Sequence, residues 1–375
     1  MAAPVRFALD HAPAAPRRSF WLRVALVFLL LAAPLTAFNL AVDPFDFRFT
    51  PHLPLVRSAI MPKNDTALWM AGEMRRIPQS ALDEVTLVFA GDSRTDSLVR
   101  WRTTARLLKV GRNDQVLNLS YGGASFEDTC KVISAELPHL PRLRALVVGM
   151  SYENIGGMFP SRAGNALRLK NAPLLYALNL GTFSWSMRLL REQSDAIARG
   201  ILPERPEAFD PAGIPRIPRS RLDPAANIAR AEATRDVAPT DSVRDLIAEW
   251  AAGTFADASP DLIRKKLQTQ VAPFVADLRA RGLAVVFFLP PLRPELLADL
   301  SPAQVAAVGG FSSDLAKIAP VEDFSRGSRD GIPLRFLDHA HVNASVAQAI
   351  FSDIYLRHFS TRPAASAPAP AGAGH

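Results

Sequence analysis

The sequence lacks the marks of several large functional classes. Its single cysteine, Cys130, excludes an internal disulfide and a cysteine-rich metal site. It has no Gly-x-Gly-x-x-Gly segment opening a helix, no Walker phosphate loop and no internal repeat. Asp92, Asp96 and Asp338 could hold a divalent cation, but no His-x-x-x-His or Cys-x-x-Cys set accompanies them. We therefore expect no cofactor and no bound metal.

A basic stripe interleaved with aromatic residues is also lacking. The chain carries 43 Lys and Arg against 36 Asp and Glu, a net charge of +7, but these residues are scattered among each other. Nucleic acid is therefore not expected as a partner, and the positive charge favours anionic lipid or polymer.

One long run has no charge at all. Residues 24–42 hold 19 uncharged positions, which extend about 28 Å as a helix at ~1.5 Å per residue and roughly match a bilayer core of ~30 Å. Four arginines precede this run: Arg6, Arg17, Arg18 and Arg23. The positive-inside rule then predicts a cytoplasmic N-terminus over 1–23, a transmembrane signal-anchor over 24–42, and a chain that lies outside the membrane after Asp43.

Two alternatives to a signal-anchor stay open. A cleaved signal peptide would need small residues at its cleavage site, and Leu35-Thr36-Ala37 fits this poorly. The run is also the right length for a buried helix of a soluble protein. At the other end, residues 361–375 are rich in Pro, Ala and Gly, which predicts a disordered tail.

Beyond the connecting segment 43–83, apolar runs alternate with helical patterns. The runs at 84–90, 115–120, 144–150 and 283–289 are nearly continuous, as expected for strands that are buried on both faces of a parallel sheet. Helical patterns fall at 96–109, 126–137 and 260–281. This alternation predicts a doubly wound α/β domain formed by 84–150 and 259–360.

The helix predicted at 260–281 has clear boundaries. Ser259 is a good N-cap, Pro260 suits the first helical position, and Gly282 suits the residue after the last turn. Residues 151–258 interrupt the alternation, and we expect them to form a partly helical insertion, either a lid over the strand ends or a partner-binding surface. Within it, the proline-rich stretch 203–224 is predicted to be irregular and 241–257 to be helical.

A Gly-Asp-Ser segment follows the first predicted strand, and it ends in Ser93. Ligands of doubly wound sheets bind outside the carboxyl ends of the strands, so the position suits a nucleophile. Asp92 and Ser93 are also good N-cap residues, so the bland interpretation is the cap of an ordinary helix.

A serine nucleophile needs a histidine base, and one of the seven histidines has a suitable partner. His341 follows Asp338 by three residues, just before the last predicted helix at about 344–358, and a turn with this offset lets the carboxylate reach the imidazole. His339 is adjacent to Asp338 and is expected to point elsewhere. Asp338 has an alternative role as the cap of the last helix. The other histidines lie at the termini, in connections or at a helix end: His11, His52, His139, His358 and His375.

Together these motifs resemble the SGNH (GDSL-like) hydrolase superfamily. The Gly-Asp-Ser after the first strand and the Asp-x-x-His before the last helix carry the resemblance, which covers about 84–150 and 283–358. The membrane anchor, "AVDPFDF", the serine of "GDSR" and "DHAHVN" are similar to the membrane-anchored envelope branch, which includes relatives of the D-alanine transfer protein DltD and alginate O-acetyltransferases. The resemblance implies a flavodoxin-like SGNH fold.

The resemblance also implies roles for individual residues. Ser93 matches the nucleophile, His341 the base and Asp338 the carboxylate that orients the base. The Ser93 N–H would serve in the oxyanion hole, together with the N–H of Gly123 or of its neighbour Gly122, which also suit a tight turn.

The third motif of the superfamily departs from its usual Gly-x-Asn-Asp. Here Ser151 stands in the asparagine's place, and Asn154 lies nearby but out of register. Both are weaker candidates for the oxyanion hole. Arg94 replaces the usual leucine after the serine.

The resemblance implies a periplasmic serine esterase or O-acyltransferase held in a bacterial inner membrane. Its substrate would be an acylated small molecule or an envelope polysaccharide or related polymer, with a membrane-bound protein as a candidate acyl donor. The alternative is a catalytically inactive SGNH-fold scaffold or polymer-binding component of an envelope modification or export complex.

Overall fold

The structure is a computed structural model. It describes residues 17–45, 47, 66–100, 106–111, 114–156, 161–198, 214–234, 238–253 and 259–360. The predicted tail 361–375 lies outside the described residues, as do most of the cytoplasmic segment and part of the connecting segment.

The helices and strands of these residues are as follows. The helices are α1 (Arg17–Val42), α2 (Thr66–Arg76), α3 (Gln79–Leu82), α4 (Ser93–Arg100), α5 (Phe126–Glu136), α6 (Tyr152–Gly156), α7 (Ala163–Asn171), α8 (Pro173–Ala177), α9 (Leu180–Ala198), α10 (Pro224–Ala233), α11 (Asp241–Gly253), α12 (Pro260–Lys266), α13 (Ala272–Ala280), α14 (Pro294–Asp299), α15 (Pro302–Ala316) and α16 (Ala344–His358). Short 3₁₀ helices form at Leu137–His139 and Arg219–Leu222, and a π-helical turn, Leu267–Val271, joins α12 to α13. The strands are β1 (Leu87–Ala90), β2 (Leu107–Val110), β3 (Asp114–Asn118), β4 (Ala145–Gly149), β5 (Arg216–Ile217), β6 (Ala284–Leu289) and β7 (Val321–Asp323).

The chain divides into two compact units. The smaller comprises Met1–Ile60 and Ala172–Pro206, and the larger comprises Met61–Asn171 and Glu207–His375. The insertion predicted at 151–258 is therefore shared between the two units and does not form a unit of its own.

The smaller unit contains one helix that is long and apolar enough to cross a membrane. The candidate span is Phe20–Val42, and only 6% of its most apolar 18-residue window is buried, so α1 is not a core helix. Helices α8 and α9 pack against its C-terminal part. There Asn39 is fully buried, and its Nδ2 donates to the carbonyl of Ala177 at 2.8 Å.

The larger unit contains a mostly parallel α/β sheet. Among the described residues, seven strands form one sheet in the order β5-β2-β3-β1-β4-β6-β7, and only the β2–β3 pairing is antiparallel. From β3 to β7 the strand order is the 2-1-3-4-5 arrangement of flavodoxin-like sheets. Because β3 and β4 lie on opposite sides of β1, the strand order reverses at β1, and ligands of such sheets bind at the carboxyl end of that strand, which Ser93 follows.

Helices cover the sheet because its central strands are apolar on both faces. On one face, α16 packs against α4 and α10, and the Phe351 ring stacks on Phe89 of β1 with centroids 5.3 Å apart. Helix α13 packs against β6. This packing orients the N-terminal ends of α4 and α16. Ser93 begins α4, and Asp338 and His341 lie just before α16.

The strongest local patterns were predicted well. The four predicted strands are confirmed as β1, β3, β4 and β6, and α5 and α16 lie where their periodicity places them. The Ser259 hydroxyl caps α12 by accepting the N–H of Leu262 at 3.2 Å, and Gly282 has a φ of +80°. Helix α11 confirms most of 241–257; its last residues lie outside the described part.

Two predictions were wrong in part. The helical pattern at 96–109 ends in strand β2, because Leu107, Leu108 and Val110 are buried and pair with β3. The stretch 203–224, predicted to be irregular, contains β5, which extends the sheet beside β2. Helix α10 follows and packs against α16, the helix that covers one face of the sheet.

The turn after β1 depends on a close contact between α4 and β4. Thr95 is fully buried, and a Cβ placed on Gly149 would lie 1.7 Å from its Oγ1. A Cβ on Gly91 would lie 2.5 Å from the same oxygen. Only glycine allows α4 to approach the strand ends this closely.

We expect Gly149→Ala to destabilise the protein by about 1–3 kcal/mol, the usual cost of overpacking a core. The matched control is Gly310→Ala in α15, where an added Cβ meets no atom within 4 Å. Because alanine favours helices, the control should be neutral or slightly stabilising. Urea unfolding of both variants tests this, and equal midpoints would contradict the close contact.

Candidate active site

Asp92, and not Ser93, caps helix α4. The Asp92 Oδ1 accepts the backbone N–H of Arg94 at 3.0 Å and of Thr95 at 3.3 Å. Ser93 is the first helical residue and is partly exposed. Within the described part of the chain, neither its N–H nor its hydroxyl forms a hydrogen bond. The capping role considered for Ser93 is thus performed by its neighbour.

Asp338 and His341 form a hydrogen-bonded pair before α16. The imidazole Nδ1 lies 2.9 Å from Oδ2 and 3.0 Å from Oδ1 of the carboxylate. The Asp338 Oδ1 also accepts the backbone N–H groups of Ala340 and His341, each at 2.8 Å. Asn343 caps α16 through the N–H of Val346 at 3.0 Å, so Asp338 is not the cap.

Hydrogen bonds keep Asp338 ionised. Its partial burial alone would raise the pKa, but the His341 ring and the two backbone N–H groups outweigh burial and hold the pKa well below its usual range. A carboxylate on Nδ1 fixes the ring orientation and leaves Nε2 as the basic nitrogen.

A buried arginine supports the loop that carries this pair. Arg293, only 1% exposed, donates from Nε to the Asp338 carbonyl at 2.6 Å and forms an ion pair with Glu295 at 3.1 Å. Its guanidinium also lies over the Phe336 ring at 5.1 Å. Arg293 was not predicted; the available signal was a charged residue four positions after the buried strand β6, within "PPLRP".

A tryptophan from the predicted insertion connects the two motifs. The Trp250 ring lies 5.5 Å from the Arg94 guanidinium carbon and 5.5 Å from the His339 ring. The neighbours of Ser93 and of His341 thus contact one indole. Burial lowers the pKa of His339, and the charges of His341 and Arg94 lower it further against the opposing effect of Asp338.

The Ser93 hydroxyl and the His341 imidazole are not hydrogen-bonded to each other in the described residues. Catalytic hydrogen bonds are often long in structures without substrate, so this contact stays a prediction.

The loop after β3 lies beside the Ser93 turn. The Tyr121 N–H donates to the Gly91 carbonyl at 3.1 Å, and the Thr66 hydroxyl fixes the Gly122 carbonyl at 2.6 Å. Gly123 has a φ of +71°, and its N–H bonds to no other described residue. This backbone suits the predicted oxyanion role of Gly123, which the structure does not test.

The third motif joins a buried network centred on Arg94. The Arg94 guanidinium donates to Asp92 Oδ2 at 2.5 and 2.9 Å and to the Ser151 hydroxyl at 2.8 Å. Its Nη1 lies 2.6 Å from Glu153 Oε1, as a close ion pair and not a well-directed hydrogen bond. The Asn154 Nδ2 donates to Asp92 Oδ2 at 3.0 Å.

This network gives Ser151 and Asn154 a structural role. All five side chains are at most 5% exposed. The sequence does not indicate that Arg94 and Glu153 join this network, because it shows Arg94 only as a departure from a motif. The role of Ser151 and Asn154 as oxyanion donors stays a prediction.

Charge pairing inside the network shifts two pKa values. Burial alone would raise the pKa of Asp92, but Arg94 and the hydrogen bond from Asn154 lower it below its ordinary value. Burial alone would lower the pKa of Arg94, but Asp92 and Glu153 raise it. Both groups are therefore charged at neutral pH.

The acidic residues considered as cation ligands have other partners. Asp96 accepts a hydrogen bond from Asn118 at 2.8 Å and pairs with Arg100 at 3.3 Å. In the described ranges, no three His, Cys, Asp or Glu side chains are grouped as metal ligands.

Comparison with known proteins yields no relative: no protein family, no curated protein and no solved structure matches this chain.

We expect Arg94→Met to destabilise the protein by about 3–5 kcal/mol at pH 7, because it leaves buried carboxylates without their partner. In the wild type, the lowered pKa of Asp92 provides stability that is present above its unfolded-state pKa and is lost as the pH falls through the folded value. Without Arg94, burial raises the pKa of Asp92, so the deficit should shrink on acidification from about pH 7 to about pH 5.

Urea unfolding at the two pH values measures this. The matched control is Arg142→Met, which removes a surface pair with Glu84 whose side chains are 60% and 58% exposed, and should cost at most about 1 kcal/mol. A deficit for Arg94→Met that is small, or that does not change with pH, would contradict the charged network.

Proposed function

We propose that this chain is a membrane-anchored, SGNH-like serine esterase or O-acyltransferase. The observation that carries the proposal is the Asp338–His341 pair, held at 2.9 Å on a loop whose neighbour His339 shares the Trp250 ring with Arg94 of the Ser93 turn. An ionised carboxylate on one nitrogen of a partly exposed imidazole is the arrangement that a serine nucleophile requires.

The proposed reaction has two halves. The Ser93 hydroxyl attacks the carbonyl carbon of an acyl ester while His341 Nε2 accepts its proton, and Asp338 stabilises the resulting imidazolium. The tetrahedral intermediate collapses, and His341 returns the proton to the departing alcohol. Water or a sugar hydroxyl then attacks the acyl-serine, again with His341 as base, and Ser93 is released.

The backbone provides the proposed oxyanion hole. The N–H groups of Ser93 and Gly123 have no acceptor in the described residues, and they follow the carboxyl ends of the neighbouring strands β1 and β3. Each donor aimed at the developing negative charge is commonly worth about 3 kcal/mol. Proton transfer also requires the His341 loop to approach Ser93, a closure that substrate binding would favour.

The helix α1 supports the proposed location. We place 1–23 in the cytoplasm of a bacterium, residues 24–42 of α1 in its inner membrane and the remainder in the periplasm, following the arginines that precede the span. A tethered enzyme there would act on an acylated envelope polysaccharide, a related polymer or a small acyl ester, with a membrane-bound protein as acyl donor.

The second candidate is a catalytically inactive scaffold or polymer-binding component. Two observations favour it: Ser93 and His341 are not hydrogen-bonded, and Asn154 of the third motif donates to Asp92. Such a protein would bind an envelope polymer without forming an acyl-enzyme.

The enzyme predicts covalent labelling of Ser93 by a fluorophosphonate, detected by mass spectrometry of the full chain in detergent. Ser93→Ala should abolish labelling and lower hydrolysis of p-nitrophenyl acetate by about 10³-fold or more. His341→Ala should have a similar effect. The matched control is Ser97→Ala on the same helix, whose hydroxyl only donates to the Arg94 carbonyl at 2.7 Å; it should label and react as the wild type does.

Unfolding midpoints of the variants show whether each is folded. A folded wild type that neither labels nor transfers an acyl group from model esters to water or oligosaccharide would overturn the enzyme in favour of the scaffold.

A further inference from the structure

Helices α8 and α9 expose an unusually apolar surface. Leu174, Leu175, Leu180, Phe183 and Met187, here called the apolar patch, are between 38% and 73% exposed. Contiguous apolar surface of this kind on a protein marks an interaction site.

The patch has a defined extent along α9. At ~100° per residue, Leu180, Phe183 and Met187 share one face of its first two turns. Further along, the exposed residues on this side are Arg191, Ser194 and the small Ala198. The large apolar side chains therefore end at Met187, as expected for a helix whose first two turns are buried in an apolar environment and whose remainder lies in water.

The patch belongs to helices that are fixed to α1. Asn39 of α1 donates to the Ala177 carbonyl at 2.8 Å and accepts from the Ser186 hydroxyl at 3.2 Å. Phe38 packs on Phe183 with ring centroids 5.4 Å apart. A member of the patch thus contacts the helix that is long enough to cross a bilayer.

These contacts set the depth of the patch. The candidate span Phe20–Val42 has 23 residues and extends about 34 Å at ~1.5 Å per residue, slightly more than a ~30 Å hydrocarbon core. Phe38 therefore lies near the end of the core, where acyl chains give way to headgroups.

Neighbouring side chains suit the same layer. The Arg188 guanidinium stacks over the Trp185 ring at 5.0 Å, next to the patch on α9. Tryptophan favours the headgroup level, and arginine there meets lipid phosphate.

We infer that the apolar patch lies in the bilayer interface at the C-terminal end of α1. Lipid covers this surface. Helix α1 crosses the membrane, and α8 and the first two turns of α9 lie as an interfacial helix pair in the leaflet at the C-terminal end of α1. The inference depends on α1 as the span and is independent of the proposed chemistry at Ser93.

The test places an environment-sensitive fluorophore on single cysteines of the full chain in phosphatidylcholine–phosphatidylglycerol vesicles. The background is Cys130→Ala, and the labelled variants are Leu180→Cys and Met187→Cys. The matched control is Ser194→Cys, on the same helix about 21 Å beyond Leu180 at ~1.5 Å per residue. All three positions are exposed, so labelling leaves the packing of α9 intact.

At 180 and 187 we expect blue-shifted emission, quenching by spin-labelled lipid and protection from aqueous iodide. At 194 we expect emission typical of water and quenching by iodide. Iodide quenching at all three positions would overturn the inference, and would leave a protein partner absent from the vesicles as the occupant of the patch. Lipid quenching at all three would also contradict the boundary at Met187.

Discussion

The geometry of the candidate site depends on one buried guanidinium. The Arg94 guanidinium contacts Asp92 of its own turn and, at the same time, Ser151 and Glu153 in the segment after β4. A lysine, with one compact charged group, cannot reproduce this planar set of contacts. Because unpairing a buried charge costs several kcal/mol, the turn after β1 and the loop after β4 are fixed relative to each other.

Most polar neighbours of Ser93 in its turn have structural partners. Asp92 caps the helix, Asp96 pairs with Arg100, and the Ser97 hydroxyl donates to a backbone carbonyl. In the described part of the chain, only Ser93 and Thr95 of this turn have a hydroxyl with no hydrogen bond, and Thr95 is fully buried whereas Ser93 is partly exposed. Its neighbours account for the structure of the turn, so its hydroxyl is the one that a ligand can engage.

The sequence predicted what depends on local pattern. The strand β1, the helix α16 and the Asp338–His341 contact follow from periodicity or from a three-residue offset. The sequence could not predict what depends on pairing between separate segments. The helical pattern at 96–109 contains strand β2 because β2 pairs with β3. Nothing near Trp250 indicates that its ring contacts both Arg94 and His339. The division of the predicted insertion between two units likewise follows from packing that leaves no local signal.

The buried charges beside Ser93 bear on the choice between the proposed enzyme and the proposed scaffold. Burying Arg94 with two carboxylates carries a desolvation cost, and apolar residues of equal volume often stabilise a core as well or better. Stability alone therefore does not explain a charged cluster directly behind Ser93. A cluster that fixes the backbone N–H of Ser93, the proposed nucleophile, is useful when the negative charge that develops in a transition state must be met by dipoles already in place. A polymer-binding surface has no such need, whereas the proposed acyl transfer does.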